Sequence, residues 1–318
     1  MMELVILDAS SIGNDLDYSG FSQFGHLTIY EETSPLTIIE RVRNADVLIL
    51  NKVRLTRTIL SEAPKVRLIC EAATGFDNID LEYCKEKGIA VCNVVGYSTQ
   101  SVAQLTVAMA LSLISNLSTY RSYVASGEYT KSGKPNLLEP VYHEIAGKTW
   151  GILGYGNIGK QVARVAEALG CKVIVHKRKP VPDADCVSLE ELCRRSDILS
   201  IHTPLNDETR NLLNRDRIAM LKRNCIVINV ARGAVTDEGA IAEAILTETI
   251  GGLGVDVYSQ EPFPAEHPFS KIKDFSNVLL TPHMAWGGYE TRVRLLQEMV
   301  ENARAFFAGE IRNRVDKL

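Results

Sequence analysis

The chain has 318 residues, 46% of them hydrophobic, and 35 basic against 39 acidic side chains leave a formal net charge of −4. That length suits about two domains with a large core. The near balance of charge, without a long run of one sign, argues against a nucleic-acid or polyanion surface, and no apolar run approaches the ~18 residues of a membrane span.

The N-terminus, MMELVILDAS, reads as a strand ending in an acid. It lacks the basic start, long apolar core and small-residue cleavage site of a signal peptide, so a cytoplasmic protein is expected. Cys70, Cys84, Cys92, Cys171, Cys186, Cys193 and Cys225 are scattered with no CxxC pair. They read as reduced thiols rather than disulfides or metal ligands. No His/Asp/Glu/Cys group has metal-ligand spacing, so no metal is expected.

Short apolar strands alternate with helical patterns along the chain. The first strands expected are Leu4–Leu7, Val47–Leu50, Arg67–Cys70 and Ala90–Asn93. A long apolar helix follows, from about Thr99 to Leu117, and then a polar stretch, Ser126–Glu139. A second series comprises Thr149–Leu153, Lys172–His176, Ile198–His202, Ile226–Val230, Gly252–Val257 and Val278–Thr281. Segments such as Leu36–Arg43 and Asn157–Leu169 carry apolar residues at helical spacing. Ser188 with Glu191 forms a capping box for the helix running to Arg195. The βαβ alternation predicts an α/β protein with two doubly wound parallel-sheet domains. The last helix, about Tyr289 to Ala308, has no strand after it, so it is expected to return to the first domain. A Rossmann-type cofactor domain, residues 99–285, would then be inserted in a flavodoxin-like substrate domain, residues 1–98 and 286–318. Clefts between domains favour small-ligand sites.

The stretch from Thr149 to Pro180 carries the first chemistry. Gly154, Gly156 and Gly159 form GxGxxG between a strand and a helix. Gly154 permits the tight turn, Gly156 a close approach of backbone to a pyrophosphate, and Gly159 close helix–strand packing. Asn157 and Ile158 offer free N–H groups at the positive end of the helix dipole. The acid that reads the ribose 2′-OH of NAD normally stands about 20 residues on. Here Lys177, Arg178 and Lys179 occupy that strand end, and no acid lies between Gly170 and Pro182. Cations attract a 2′-phosphate, and Arg178 can grip it with a fork of donors. The residues therefore favour NADP(H) and leave NAD(H) open; the plain alternative is a solvated strand end.

Three further stretches end strands of the second series, where a doubly wound sheet presents its ligand crevice. NVARGAVTDE places Arg232, GVDVYSQEP places Asp256 and Glu261, and LLTPHMAW places His283 with Trp286 beyond it. Each alone has an ordinary reading: a solvated arginine, a turn acid, a capping or core histidine, a core tryptophan.

Together with AATGFDNID (Ala72–Asp80), GYSTQSVAQLT (Gly96–Thr106), IAGKTWGILGYGNIG and HTPLNDETRNLLN (His202–Asn214), these segments span nearly the whole chain. In that order they resemble the D-isomer-specific 2-hydroxyacid dehydrogenase family. ATGFDNID, GYSTQSVAQ, HMAW and NKV (Asn51–Val53) are most similar to its glycerate dehydrogenase/hydroxypyruvate reductase branch. The resemblance implies hydride transfer between NAD(P)H and a small 2-keto acid such as hydroxypyruvate or glyoxylate. It implies that Arg232 binds the carboxylate and polarises the keto oxygen, that His283 donates and accepts the proton, and that Glu261 orients His283 and supports its charged form. The backbone of Thr74 and Gly75 would hold the carboxylate, with Thr74 also near the cofactor. Asn51 and Trp286 would line the substrate. Asp256 would orient the carboxamide, and Thr203, Val230, Ala231 and His283 would lie along the nicotinamide half. Lys177 stands at the family's usual acid position. Domain closure would hinge near Gly96–Ser98 and Ala285–Gly287. A homodimer is implied, with the Thr99–Leu117 helix and the arm Tyr120–Ala146 as contacts. Two rivals on the same fold are an NAD(P)-binding redox-sensing corepressor and a formate- or phosphite-oxidising enzyme. The first commonly bears disordered tails or docking segments; the second lacks the hydroxypyruvate-type segments.

Overall fold

Eleven strands, all parallel, form two sheets in a computed structural model that describes residues 1–317. Contacts divide the chain into two units, Met1–Ser98 with Gly287–Leu318, and Thr99–Trp286.

The first unit contains β1 (Glu3–Ile6), β2 (His26–Ile29), β3 (Val47–Leu50), β4 (Leu68–Glu71) and β5 (Ala90–Cys92), in the order β2-β1-β3-β4-β5. This is a flavodoxin-like order whose direction reverses between β1 and β3. The central strands β3 and β4 are buried along their whole length, as parallel strands covered on both faces must be. One face packs Leu48, Leu50, Ile69 and Val91 against helical residues such as Val42, Leu60 and Cys84. The other receives the helix Tyr289–Phe307, which buries Leu295, Met299 and Ala303 and packs on β4. That helix therefore returns to the first sheet.

The strand β2 has no counterpart in the apolar pattern. It lies at the sheet edge, and both its end residues are exposed, so HLTI carries little of the hydrophobic signal that marks the inner strands.

The second unit contains β6 (Thr149–Leu153), β7 (Lys172–His176), β8 (Ile198–Ile201), β9 (Ile226–Asn229), β10 (Gly252–Val255) and β11 (Val278–Leu280). Their order is β11-β10-β9-β8-β6-β7, so the switch point falls between β6 and β8. Leu199, Val227 and Leu253 face one apolar layer, and Trp150, Ile152 and Ile228 face the other. The buried Trp150 indole N–H is satisfied by Ser200 Oγ at 2.9 Å.

The long helix expected over Thr99–Leu117 ends at Ile114. Asn116 takes the left-handed conformation, with φ 50°, and the chain bends by 65° into a second helix, Leu117–Ala125. Asparagine tolerates that conformation better than other non-glycine residues. A third short helix, Glu128–Ser132, lies in the polar stretch Ser126–Glu139, and neither it nor Leu117–Ala125 buries a residue. Among the described residues no single helix is long and apolar enough to cross a membrane.

Candidate active site

The glycine turn joins β6 to the helix Asn157–Ala168 at the switch point. Gly154 has φ +97°, and a Cβ there would stand 2.7 Å from His202 C and Thr203 N. Only glycine lets the turn lie against the end of β8. Gly159 is equally constrained, since its Cβ would meet Gly154 O at 2.2 Å. Gly156 differs: a Cβ there would meet nothing within 4 Å. Its lack of a side chain satisfies no internal packing, and it stands at the N-cap beside the N–H groups of Asn157 and Ile158. A glycine in open space at a helix start leaves a cradle for an anion such as pyrophosphate.

His202 follows β8 at the same point. Burial pushes it down to about 3, so its imidazole is neutral. Its Nε2 meets Ser200 Oγ at 3.0 Å, while its buried Nδ1 has no partner among the described residues. Thr203 lies next in the chain. Beyond β7, Lys177 is half-buried and Arg178 is exposed. Arg178 pairs with Glu208 at 3.0 Å, an acid from the loop after β8 that the sequence pattern did not connect to this strand end.

Arg232 follows β9. Its loop is shaped by Asn229, a residue 2% exposed whose side chain accepts from Ala231 N at 3.0 Å and donates to Arg232 O at 3.0 Å. Val230 is buried and Ala231 half-buried beside it. The Arg232 side chain is exposed, and its guanidinium donates to Ala231 O at 2.8 Å.

Glu261 and His283 come from the loops after β10 and β11. Glu261 Oε2 accepts from His283 Nδ1 at 2.6 Å, and Glu261 Oε1 accepts from Tyr258 N at 3.0 Å. His283 has φ 52°, an uncommon conformation for a non-glycine residue, of the kind that clusters at functional sites. Two contacts hold it there. Trp286 Nε1 donates to His283 O at 3.0 Å. Asp256, 1% exposed, accepts from Thr281 Oγ1 at 2.5 Å and from Met284 N and Ala285 N at 2.9 Å each. Burial raises Asp256, against these hydrogen bonds and the charge of His283, which lower it. Three acceptor positions of the carboxylate thus clasp the turn around His283. A carboxylate has about four, so one is left unfilled by these donors.

In the first unit, Thr74 is exposed and its Oγ1 donates to Val94 O at 2.8 Å. No acceptor among the described residues takes the backbone N–H of Thr74 or Gly75. Asn51 is 7% exposed, and its side-chain amide donates to Ser11 O at 2.9 Å. Its side chain thus braces the loop after β3. That loop belongs to a polar cluster the sequence pattern did not reveal. Asp8 accepts from Asn51 N and Lys52 N at 3.0 and 2.6 Å. Asn78 donates to Val53 O and to Glu71 Oε2, each at 3.0 Å. Glu71 is 1% exposed, and its Oε1 has no partner among the described residues. Burial pushes its carboxyl up to about 9, so at neutral pH it is a neutral acid.

Comparisons with known proteins follow this geometry. Residues 107–285 match the family described as D-isomer specific 2-hydroxyacid dehydrogenase, NAD binding domain. The chain is 35% identical over 315 residues to glycerate dehydrogenase of Methylorubrum extorquens, covering 99% of both chains. It is 32% identical over 326 residues to hydroxypyruvate reductase of Blautia hydrogenotrophica, covering 99% of this chain and 100% of the relative. Among solved structures, D-lactate dehydrogenase of Aquifex aeolicus with NAD and lactic acid superposes with a TM-score of 0.84 at 30% identity, over 97% of this chain and 96% of that one.

Proposed function

The chain belongs to the D-isomer specific 2-hydroxyacid dehydrogenase family, and from that premise we propose that it reduces a small 2-keto acid, hydroxypyruvate or glyoxylate first, to the corresponding 2-hydroxy acid, the D isomer where that carbon is chiral, with a nicotinamide dinucleotide. The observation that carries this reading is the Glu261–His283 pair at 2.6 Å, in the unit that also presents Arg232 and the glycine cradle.

Each residue then has a task set by its chemistry. Glu261 accepts from Nδ1, so the proton for the keto oxygen is held at His283 Nε2. The planar fork of Arg232 grips the substrate carboxylate and polarises the keto group. The unclaimed N–H groups of Thr74 and Gly75 offer donors to the same kind of anion, and Trp286 lines the substrate side of His283. Gly154, Gly156 and Gly159 with Asn157 and Ile158 hold the pyrophosphate. Thr203, Val230 and Ala231 lie along the nicotinamide half, and the remaining acceptor of Asp256 orients the carboxamide. When bound, the dinucleotide supplies the hydride. Lys177 and Arg178 favour the 2′-phosphate of NADP(H), although Arg178 must leave Glu208 to reach it.

We read the protein as a homodimer. The segment after Ile114 exposes Leu117, Val124, Leu138, Val141 and Tyr142 without burying them in its own unit. Apolar surface of that extent suits a second copy. Light scattering should return twice the chain mass of 35.1 kDa. The seven thiols, none of them in a disulfide, suit a reducing compartment such as the cytoplasm.

The assay is loss of nicotinamide absorbance with NADPH or NADH and a panel of hydroxypyruvate, glyoxylate, pyruvate and 2-ketobutyrate. Turnover with NADPH preferred supports the whole reading. Turnover with NADH preferred removes the charge argument alone. Cofactor binding without turnover on any keto acid would overturn the proposed reaction.

A further inference from the structure

Glu238 opens the helix Glu238–Leu246, behind its N-cap Asp237. An acid in a first helical turn normally faces solvent and the helix dipole. Glu238 is instead only 9% exposed, and both of its oxygens are engaged. Oε1 accepts from Ser259 N at 2.9 Å. Oε2 accepts from Ser259 Oγ and meets His267 Nε2 at 3.1 Å.

The buried His267 is fixed in one tautomer by its two partners. Its Nδ1 accepts from Phe269 N at 3.2 Å, so that nitrogen carries no proton. The ring proton is therefore on Nε2, directed at Glu238. Tyr258, Phe263 and Phe269 enclose the ring, with centroids 6.2, 5.0 and 4.9 Å away.

Ser259 lies in the segment that carries Glu261. One residue before it, Tyr258 N donates to Glu261 Oε1, and the Tyr258 hydroxyl donates to Thr281 O at 2.9 Å. The residue after Arg232 presses on the same backbone: a Cβ on Gly233 would stand 2.0 Å from Tyr258 C and 2.1 Å from Ser259 N. Tyr258 and Ser259, by backbone and by the Tyr258 hydroxyl, thus touch the loops of all three catalytic candidates, and Glu238 holds Ser259 from behind.

We propose that Glu238 and His267 are positioning residues for the reduction: together they fix the Tyr258–Ser259 segment, and through it the seat of Glu261 against His283 and the placement of Arg232. The inference rests on the proposed reductase reading. Neither residue touches a reacting atom. Rate enhancement depends on geometry held to fractions of an ångström, so loosening such a support costs turnover even when the fold survives.

The test compares wild type with Glu238→Ala, His267→Gln and Ser259→Ala, using the keto acid the wild type turns over best. NADH or NADPH binding is measured by fluorescence and stability by thermal melting. In Glu238→Ala, kcat should fall by about 10-fold or more with cofactor affinity held within about 3-fold. The loss should fall on kcat, with KM for the keto acid moving less, because the segment seats groups that act in the reaction step. His267→Gln keeps an N–H donor for Glu238 and should lose less than Glu238→Ala. Should Glu238→Ala not fold, Ser259→Ala removes only one hydroxyl contact and should show the same fall in kcat in smaller measure. A lowered melting temperature with kcat unchanged would overturn the inference. A His283→Ala variant run alongside separates the two claims: if it turns over like wild type, the reductase reading itself falls; if it is inactive while Glu238→Ala is not, only the positioning role falls.

Discussion

Glu261 Oε2 and His283 Nδ1 stand 2.6 Å apart, which leaves Nε2 of His283 as the nitrogen available to a reactant. The pair joins loops after two adjacent strands of one sheet, and Asp256, at the end of β10, clasps the backbone of the second loop. Glu261 thus sets the orientation and tautomer of the histidine and Asp256 the backbone that carries it, and each can be removed on its own.

Arg232 is the cation assigned to the substrate carboxylate. Arg232→Lys keeps the charge and loses the fork, so kcat/KM for the keto acid should fall roughly 10- to 100-fold or more while cofactor affinity holds. Steady-state kinetics beside cofactor titration measure both. An unchanged kcat/KM would mean that a point charge suffices there.

The glycine turn yields a paired prediction. Gly154→Ala places a methyl 2.7 Å from the His202–Thr203 backbone at φ +97°, so the melting temperature should fall as well as cofactor affinity. Gly156→Ala meets no protein atom within 4 Å and should leave the melting temperature close to wild type. Its cofactor dissociation constant should nevertheless rise about 10-fold or more, because the methyl stands where the pyrophosphate is placed. Unimpaired binding in Gly156→Ala would remove the cofactor from that cradle.

Lys177→Asp combined with Arg178→Ala should weaken NADPH far more than NADH, by about 10-fold or more in the ratio of affinities. Glu208→Gln frees Arg178 from its partner and should move the ratio toward NADPH. Isothermal titration with the two cofactors reads both shifts. Equal losses for NADPH and NADH in the double variant would dissolve the 2′-phosphate argument.

Glu71 gives stability a pH dependence. Its ordinary value is 4.5, and burial holds the folded carboxyl neutral up to about 9. The contribution of the neutral acid is therefore complete below 4.5 and is lost as pH rises toward 9, at up to about 1.4 kcal/mol per pH unit. Asp8, also raised by burial, acts in the same direction. Glu71→Gln cannot ionise, so its melting temperature relative to wild type should climb steadily between pH 5 and pH 8. A constant difference across that range would show that Glu71 is ionised in the folded protein.

The architecture and the triad candidates were legible because they rest on local signals. Inner parallel strands are continuous apolar runs, and GxGxxG, NVARG and TPH each follow one. What was not legible follows from the same physics. The edge strand His26–Ile29 is half exposed and carries little apolar pattern. The helix break at Asn116 depends on one residue adopting a left-handed conformation inside an apolar run. Glu238 and His267 lie 29 residues apart, and each alone resembles an ordinary helix-start acid or turn histidine. The brace from the Asn51 amide to Ser11 O spans 40 residues of chain. Such pairings become visible only when the strands are laid side by side.

The most direct test of the account is the reductive single-turnover rate of His283→Ala with prebound cofactor and saturating keto acid, set against wild type. A proton donor at Nε2 predicts a loss of about 10²- to 10⁴-fold with cofactor affinity intact. A rate equal to wild type with the cofactor fully bound would contradict the assignment of His283, and with it the chemistry proposed for this site.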